Sequence, residues 1–254
     1  NAKAIAIVKA NAYGHGAIKV ASYLEDCADC YGVACTEEAV ELRNSGIDKT
    51  PILLMEGIFE VSELKLIEKY NLIVTVCNSK QLQWLLDNTF NKPVDVFVKY
   101  DSGMGRLGFQ GEEFINAINL LEENEKIGQI TLMTHFSSAD DINSTSTNEQ
   151  ISNFDKTLYS KKYSASLANS AAIMSLSESH REYTRPGIML YGSSPFPEKA
   201  FLNKLTPSMT LSSVLISIKR FKAGQSIGYG CRYICMQDTL IGVVAIGYAD
   251  GYPR

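Results

Sequence analysis

The run Ile5-Ala6-Ile7-Val8 is apolar and β-branched, ends in Lys9, and leads into the glycine-punctuated loop Ala10-Asn11-Ala12-Tyr13-Gly14-His15-Gly16. Such a run reads as a buried strand. An amine at the end of a buried strand is costly unless it is partnered or its pKa is lowered. A lysine stripped of water is also the uncharged amine that Schiff-base chemistry needs. An ordinary lysine reaching out of a strand end has the same sequence, so this stretch alone leaves both readings open. Further reactive groups follow later apolar runs. They are Lys99, Asp101 and Arg106 in Val98-Lys99-Tyr100-Asp101-Ser102-Gly103-Met104-Gly105-Arg106; His135 in Met133-Thr134-His135; Asn169 and Ser170; and Arg185 ahead of Pro186-Gly187-Ile188. Cations and hydroxyls of these types, brought to one rim, suit an anionic cofactor. Ser170 and the backbone at Gly187 and Ile188 suit a phosphate in particular. His15 and His180 are expected in structural or surface roles.

The elements that must position these groups alternate along the chain. Strand-like runs cover 4–9, 31–35, 51–55, 71–77, 94–100, 128–135, 163–168 and 183–191, the last ending at Gly192. Amphipathic helix patterns lie between them. The first is expected over 15–26, the next opens on a Thr36 cap and ends at Gly46, and another begins at an Asn78/Ser79 cap and carries Trp84 toward the outside of the sheet. Eight strands alternating with helices predict an α/β fold, a (β/α)8 TIM barrel, with its active site where strands end and loops begin. A doubly wound sheet is the other arrangement, but no dinucleotide fingerprint follows the first strand. Residues 209–218 and 240–247 then read as strands with no helix between them, the start of a β-rich C-terminal domain. The expected domains are the barrel at 1–200 and the opening of the β domain at 201–254, with the boundary near 195–207.

The 254 residues, 45% hydrophobic and 20% charged, describe an ordinary globular protein, and a net charge of −4 gives no reason to expect a nucleic-acid partner. No apolar stretch approaches the length of a membrane span. Of the six cysteines, Cys27 and Cys30 form a C-x-x-C, but no second pair has zinc-site spacing, so no metal is expected. Free thiols in a chain of this size fit a reducing, cytoplasmic setting. The chain starts at Asn1 rather than methionine and stops at Arg254, directly after a motif; it is expected to be a fragment of a longer protein.

Val8-Lys9-Ala10-Asn11-Ala12-Tyr13-Gly14-His15-Gly16 closely resembles the pyridoxal-phosphate attachment segment of bacterial alanine racemases. Asp101-Ser102-Gly103-Met104-Gly105-Arg106-Leu107-Gly108 and Ala245-Ile246-Gly247-Tyr248-Ala249-Asp250-Gly251-Tyr252-Pro253-Arg254 resemble two more of that family's motifs. The resemblance implies pyridoxal 5'-phosphate carried on Lys9. It implies Tyr13, Ser170 and the Gly187-Ile188 backbone at the phosphate, with Asn169 beside them. Arg106 is implied at the phenolic oxygen, His135 against the ring, Arg185 at the ring nitrogen, and Lys99 as a carbamylated lysine facing Arg106. A pyridoxal enzyme that wants a full electron sink sets a carboxylate at the ring nitrogen, so an arginine there keeps that nitrogen unprotonated and restrains side reactions. Racemisation needs a base on each face of one carbon, and a lysine tied to the cofactor serves one face. Tyr248 is the candidate for the other, implied to arrive from the second subunit of a head-to-tail homodimer with shared sites, backed by His135 and Arg185. Lys9 is implied on the D-side and Tyr248 on the L-side.

The implied function is interconversion of L- and D-alanine, supplying D-alanine for peptidoglycan. The alternatives weighed are a serine or broad-specificity racemase, a non-catalytic pyridoxal-phosphate-handling barrel, and a decarboxylase of the same barrel class. Tyr248 argues against the second and Arg185 against the third.

Overall fold

The computed structural model describes residues 2–157, 162–196 and 205–253. The chain divides into two compact units, Asn1–Ser208 and Met209–Arg254. The domain boundary expected at 200/201 falls within 197–204, outside the described residues.

Eight parallel strands close the first unit into a barrel in chain order: β1 (Lys3–Ile7), β2 (Cys30–Val33), β3 (Ile52–Leu54), β4 (Leu72–Val76), β5 (Val94–Lys99), β6 (Ile127–Met133), β7 (Ser164–Ser166) and β8 (Tyr183–Thr184). Alternation along the strands sorts the side chains. Ile5, Ile7, Leu53, Phe97 and Met133 form one buried cluster, while Ala6, Val8, Ile52, Leu54, Val74 and Val96 join a larger one that also takes in helix residues. Helix Gly111–Glu122 shows how the helices contribute: Phe114, Ala117, Ile118 and Leu121 are its buried residues, at i, i+3, i+4 and i+7. Helix Ser79–Asp87 starts where expected, with the Asn78 side chain accepting from the Gln81 amide at 2.9 Å, and its Trp84 packs against the larger cluster.

Three expectations are corrected. The first helix, expected over 15–26, is shorter at both ends, Ala17–Leu24, because Gly16 at φ 93° precedes it outside the helical region. Thr36 does not cap its helix: Cys35 occupies that position, and the Thr36 hydroxyl donates to Glu63 Oε2 at 2.5 Å. The eighth strand stops at Thr184, and Ile188–Tyr191 is a 3-10 turn. After Arg185 N–H donates to Ala168 O at 2.9 Å, Pro186 has no N–H to extend a ladder.

In the second unit β9 (Leu215–Phe221) pairs antiparallel with β12 (Thr239–Val244), and β10 (Ser226–Ile227) with β11 (Tyr233–Ile234). Its strands begin and end a few residues from the expected 209–218 and 240–247. Among the described residues no helix is long and apolar enough to cross a membrane.

Candidate active site

A cavity of about 290 Å³ opens among residues that follow the barrel strands. Lys9, Tyr13, Lys99, Arg106, His135, Asn169, Ser170, Arg185, Gly187 and Ile188 all line it, so the structure brings together candidates from strands one, five, six, seven and eight, while Asp101 is not among the lining residues. Tyr248 belongs to the second unit, in the turn Tyr248–Asp250, where it is exposed. Glu56, Met55, Met133 and Asp140 also line the cavity and were missed. Met55 and Glu56 directly follow β3, so the strand-end rule, applied there as elsewhere, would have found them.

Lys9 is not at the end of β1. It comes two residues after the last strand residue, Ile7, and its side chain is 36% exposed, with Nζ 3.6 Å from Glu56 Oε1. Solvent reaches the side chain, so of the two readings the sequence left open it is the half-exposed lysine that the structure shows. From Ala10 to Tyr13 the backbone is left-handed, with φ of 53°, 53°, 55° and 53°. A non-glycine residue in this region costs about 1–2 kcal/mol, and four in succession persist only where surrounding contacts over-determine them. Those contacts are present. The amide of Ala10 donates to Glu38 Oε1 at 2.7 Å, the Asn11 carboxamide accepts from the Ala17 amide at 2.8 Å, and Ala12 N–H returns to Val8 O at 2.8 Å. His15 stacks on Tyr191 at 4.5 Å, and the Tyr191 hydroxyl donates to Ile7 O at 2.6 Å. The turn carries the Tyr13 hydroxyl toward Gly187, where a Cβ would come within 3.0 Å of that oxygen and 3.6 Å of Ser170 Oγ. Ser170 Oγ accepts from the Gly187 amide at 2.9 Å, and Asn169 Oδ1 from the Ala172 amide at 3.1 Å. Hydroxyls and amides thus converge on a corner that a side chain at 187 would fill.

Among the described residues Arg185 is the most deeply set charge. It is 2% exposed, and burial lowers its pKa to about 10, which leaves it a cation at neutral pH. Its Nη1 donates to Ser166 O at 2.7 Å and Ser166 Oγ at 2.6 Å; its Nη2 donates to Thr134 O at 2.7 Å and Leu167 O at 3.1 Å. Nη2 also lies 3.2 Å from His135 Nδ1. Because a guanidinium only donates, Nδ1 is the acceptor there, and the proton of a neutral His135 sits on Nε2. Burial first, and Arg185 second, hold the His135 pKa down to about 2, so the ring stays neutral. The Arg185 Nε is buried without a partner. A buried donor left over on a cavity-lining cation fits an acceptor atom of a bound group.

Lys99 is 6% exposed, and burial lowers its pKa, with Arg185 and Arg106 acting in the same direction. The loop after it is held by Asp101, whose Oδ1 accepts from the Gly103, Met104 and Gly105 amides at 3.1, 2.8 and 3.0 Å. Gly108, at φ +122°, lets that loop return against the Lys99 carbonyl and the Asp101 amide, where a Cβ would sit at 2.9 and 2.8 Å. This geometry presents the exposed Arg106 at the cavity. An amine, hydroxyls and backbone amides at one corner, and an unpartnered guanidinium donor together suit an anionic cofactor, the kind of group that the resemblance implies.

Comparisons with known proteins agree in one direction. The family described as "Alanine racemase, N-terminal domain" matches residues 1–195, and "Alanine racemase, C-terminal domain" matches 208–254. The chain is 43% identical over 254 residues to "Alanine racemase, catabolic" of Pseudomonas putida, covering all of this chain and 71% of that protein. It is 44% identical over 253 residues to the alanine racemase of Pseudomonas syringae pv. syringae, covering 99% and 71%. Among solved structures, the biosynthetic alanine racemase of Pseudomonas aeruginosa superimposes with a TM-score of 0.95 at 40% identity, covering 100% of this chain and 71% of that one. The alanine racemase of Acinetobacter baumannii follows at 0.91 and 35%, covering 100% and 71%.

Proposed function

Because the chain belongs to the alanine racemase family, a family dependent on pyridoxal phosphate, we propose that it interconverts L- and D-alanine with that cofactor bound in the barrel cavity. The observation that carries the reading is the unpartnered Nε of the buried, cavity-lining Arg185, a donor with no acceptor among the described residues. Bound there, pyridoxal phosphate supplies the electron-withdrawing ring that acidifies the substrate's Cα–H.

Lys9 would hold the cofactor and would also be the base that takes or gives a proton at Cα on the D-side. Tyr13, Ser170 and the amides at Gly187 and Ile188 would hold the phosphate, with Asn169 fixing the start of the following helix. Arg106 would face the phenolic oxygen. Arg185 would face the ring nitrogen and, as a fixed cation, would oppose a second positive charge there, so side reactions would be restrained. Lys99, a buried amine beside two arginines, is suited to capture CO₂ as a carbamate whose negative charge faces Arg106. The L-side proton belongs to Tyr248. A phenol has a pKa near 10, so its anion needs a donor and a cation behind it. The Nε2–H of His135, with Arg185 behind it, suits that task if Tyr248 comes from the partner subunit of a head-to-tail homodimer. D-alanine would then supply peptidoglycan synthesis in the cytoplasm.

The direct test is formation of D-alanine from L-alanine by the chain with added pyridoxal phosphate, with serine in parallel. Turnover that prefers alanine supports the reading; serine preferred, or no exchange of the alanine Cα proton, overturns it. The phosphate corner is tested by Gly187→Ala, whose Cβ crowds the Tyr13 hydroxyl and the space beside Ser170. We expect its cofactor dissociation constant to rise about tenfold, near 1.4 kcal/mol, with the melting temperature of the cofactor-free protein little changed. An absorbance titration measures the first and a thermal scan the second.

A further inference from the structure

Lys9 is tied down through the backbone on both of its sides, and both ties lead to the same segment of the barrel. On the N-terminal side the Val8 amide donates to Gly32 O at 2.9 Å, extending the contact of β1 with β2. On the C-terminal side the chain has already left the ladder, and the amide of Ala10, first residue of the left-handed turn, has a side-chain partner, Glu38 Oε1 at 2.7 Å. The other oxygen of the same carboxylate accepts from the Ala34 amide at 2.7 Å, just past β2. Glu38 lies in helix Thr36–Asn44, so one carboxylate spans the peptide after Lys9 and the end of the neighbouring strand. Both bonds are charge-assisted and short for N–H to O contacts. The lysine side chain itself is open to solvent and has four rotatable bonds; what directs it is the fixed Cα and the fixed peptides on either side.

We propose that Glu38 is a positioning residue for the reaction: it locks the peptide after Lys9 and so sets the direction from which the amine meets Cα. This rests on the reading of Lys9 as the D-side base. Glu38→Gln is nearly the same size, but its carboxamide presents N–H to one of two amides that both need an acceptor, so one tie is lost without a cavity. Asp29→Ala is the control, because Asp29 Oδ2 likewise accepts from a β1 amide, Ala4 N at 2.8 Å, at the far end of the strand from Lys9.

The experiment is steady-state racemisation by the pyridoxal-phosphate-loaded enzyme in both directions, with α-protiated and α-deuterated alanine. Glu38→Gln is expected to lose about 10- to 100-fold in kcat/KM, the scale of a small misplacement of a reacting group. The loss should be equal in both directions, because the two enantiomers are equally stable. The isotope effect separates positioning from damage. A slower Lys9 step makes the α-deuterium effect rise for D-alanine, from which Lys9 removes the proton, and fall for L-alanine, whose α-hydrogen Tyr248 removes before Lys9 delivers the final proton that makes D-alanine. Asp29→Ala should lower the melting temperature and leave both isotope effects at the parent values. Parent-like isotope effects in Glu38→Gln, or a change of the same sign for both enantiomers, overturn the assignment of Glu38 while leaving the racemase reading intact. A parent enzyme that exchanges no Cα proton overturns the reading and the assignment together.

Discussion

Lys9→Ala is expected to remove the absorbance band of the lysine-linked cofactor and to lower racemisation by about 10⁴-fold, the upper end of what one positioned proton-transfer group contributes. Its melting temperature should stay close to the parent's, for reasons visible at the site. The lysine side chain is 36% exposed, and so is that of Glu56, its partner at 3.6 Å. A pair this open contributes at most about 1 kcal/mol, and losing Lys9 strands no buried charge. The conformation of the turn does not depend on the amine either: it is held by Glu38, Asn11 and the Val8 carbonyl, all of which remain. The cofactor should still bind, more weakly, through the phosphate corner and Arg185. A small primary amine added to the buffer enters the space left by the side chain and should restore part of the rate. Absorbance spectra, thermal scans and coupled D-alanine assays measure these three effects. A variant that keeps the band of the lysine-linked form and stays active would remove Lys9 from its role.

How far the site was legible in the sequence follows from which interactions are local. The alternation of apolar runs and amphipathic helices is written in periods of 2 and 3.6 residues, so the barrel could be read directly. A barrel brings its strand ends to one rim, and Lys99, His135 and Arg185, far apart in the chain, line one cavity for that reason. The conformation that presents Lys9 could not be read. Ala10 and Ala12 favour an ordinary helix, and nothing local demands positive φ at four successive residues. Among the contacts that hold it is a carboxylate 28 residues away. The misplaced cap at Thr36 has the same origin, since its hydroxyl is taken by Glu63, 27 residues on. Glu56 was overlooked for a different reason: β3 is only three residues long, and its end carries no motif to draw attention to it.

Arg185→Glu is expected to act on two properties at once, and their separation tests whether the arginine serves the fold, the chemistry, or both. Arg185 supplies the hydrogen-bond donors for Ser166 O, Ser166 Oγ, Thr134 O and Leu167 O, and a carboxylate in its place offers these oxygens only acceptors. Leaving such buried acceptors unpaired beside a new buried charge costs about 3–5 kcal/mol. In a chain of this length that lowers the melting temperature by roughly 10 °C. The chemical effect has the opposite sense. With the cation replaced by an anion, a ring nitrogen placed there gains a proton more readily, the electron sink deepens, and transamination should rise relative to racemisation. His135 reports on the same change: burial, with Arg185 next, holds its pKa down to about 2, so exchanging the cation for an anion moves it upward. An imidazole that charges more readily loses its role as a neutral donor from Nε2 at a higher pH than in the parent, so on acidification the variant's residual racemisation should fall earlier than the parent's. Thermal scans, the ratio of pyruvate to D-alanine formed, and the pH profile of that ratio separate the contributions. A lower melting temperature with an unchanged product ratio would make Arg185 a structural cation only and would remove the ring-nitrogen contact from the proposed site.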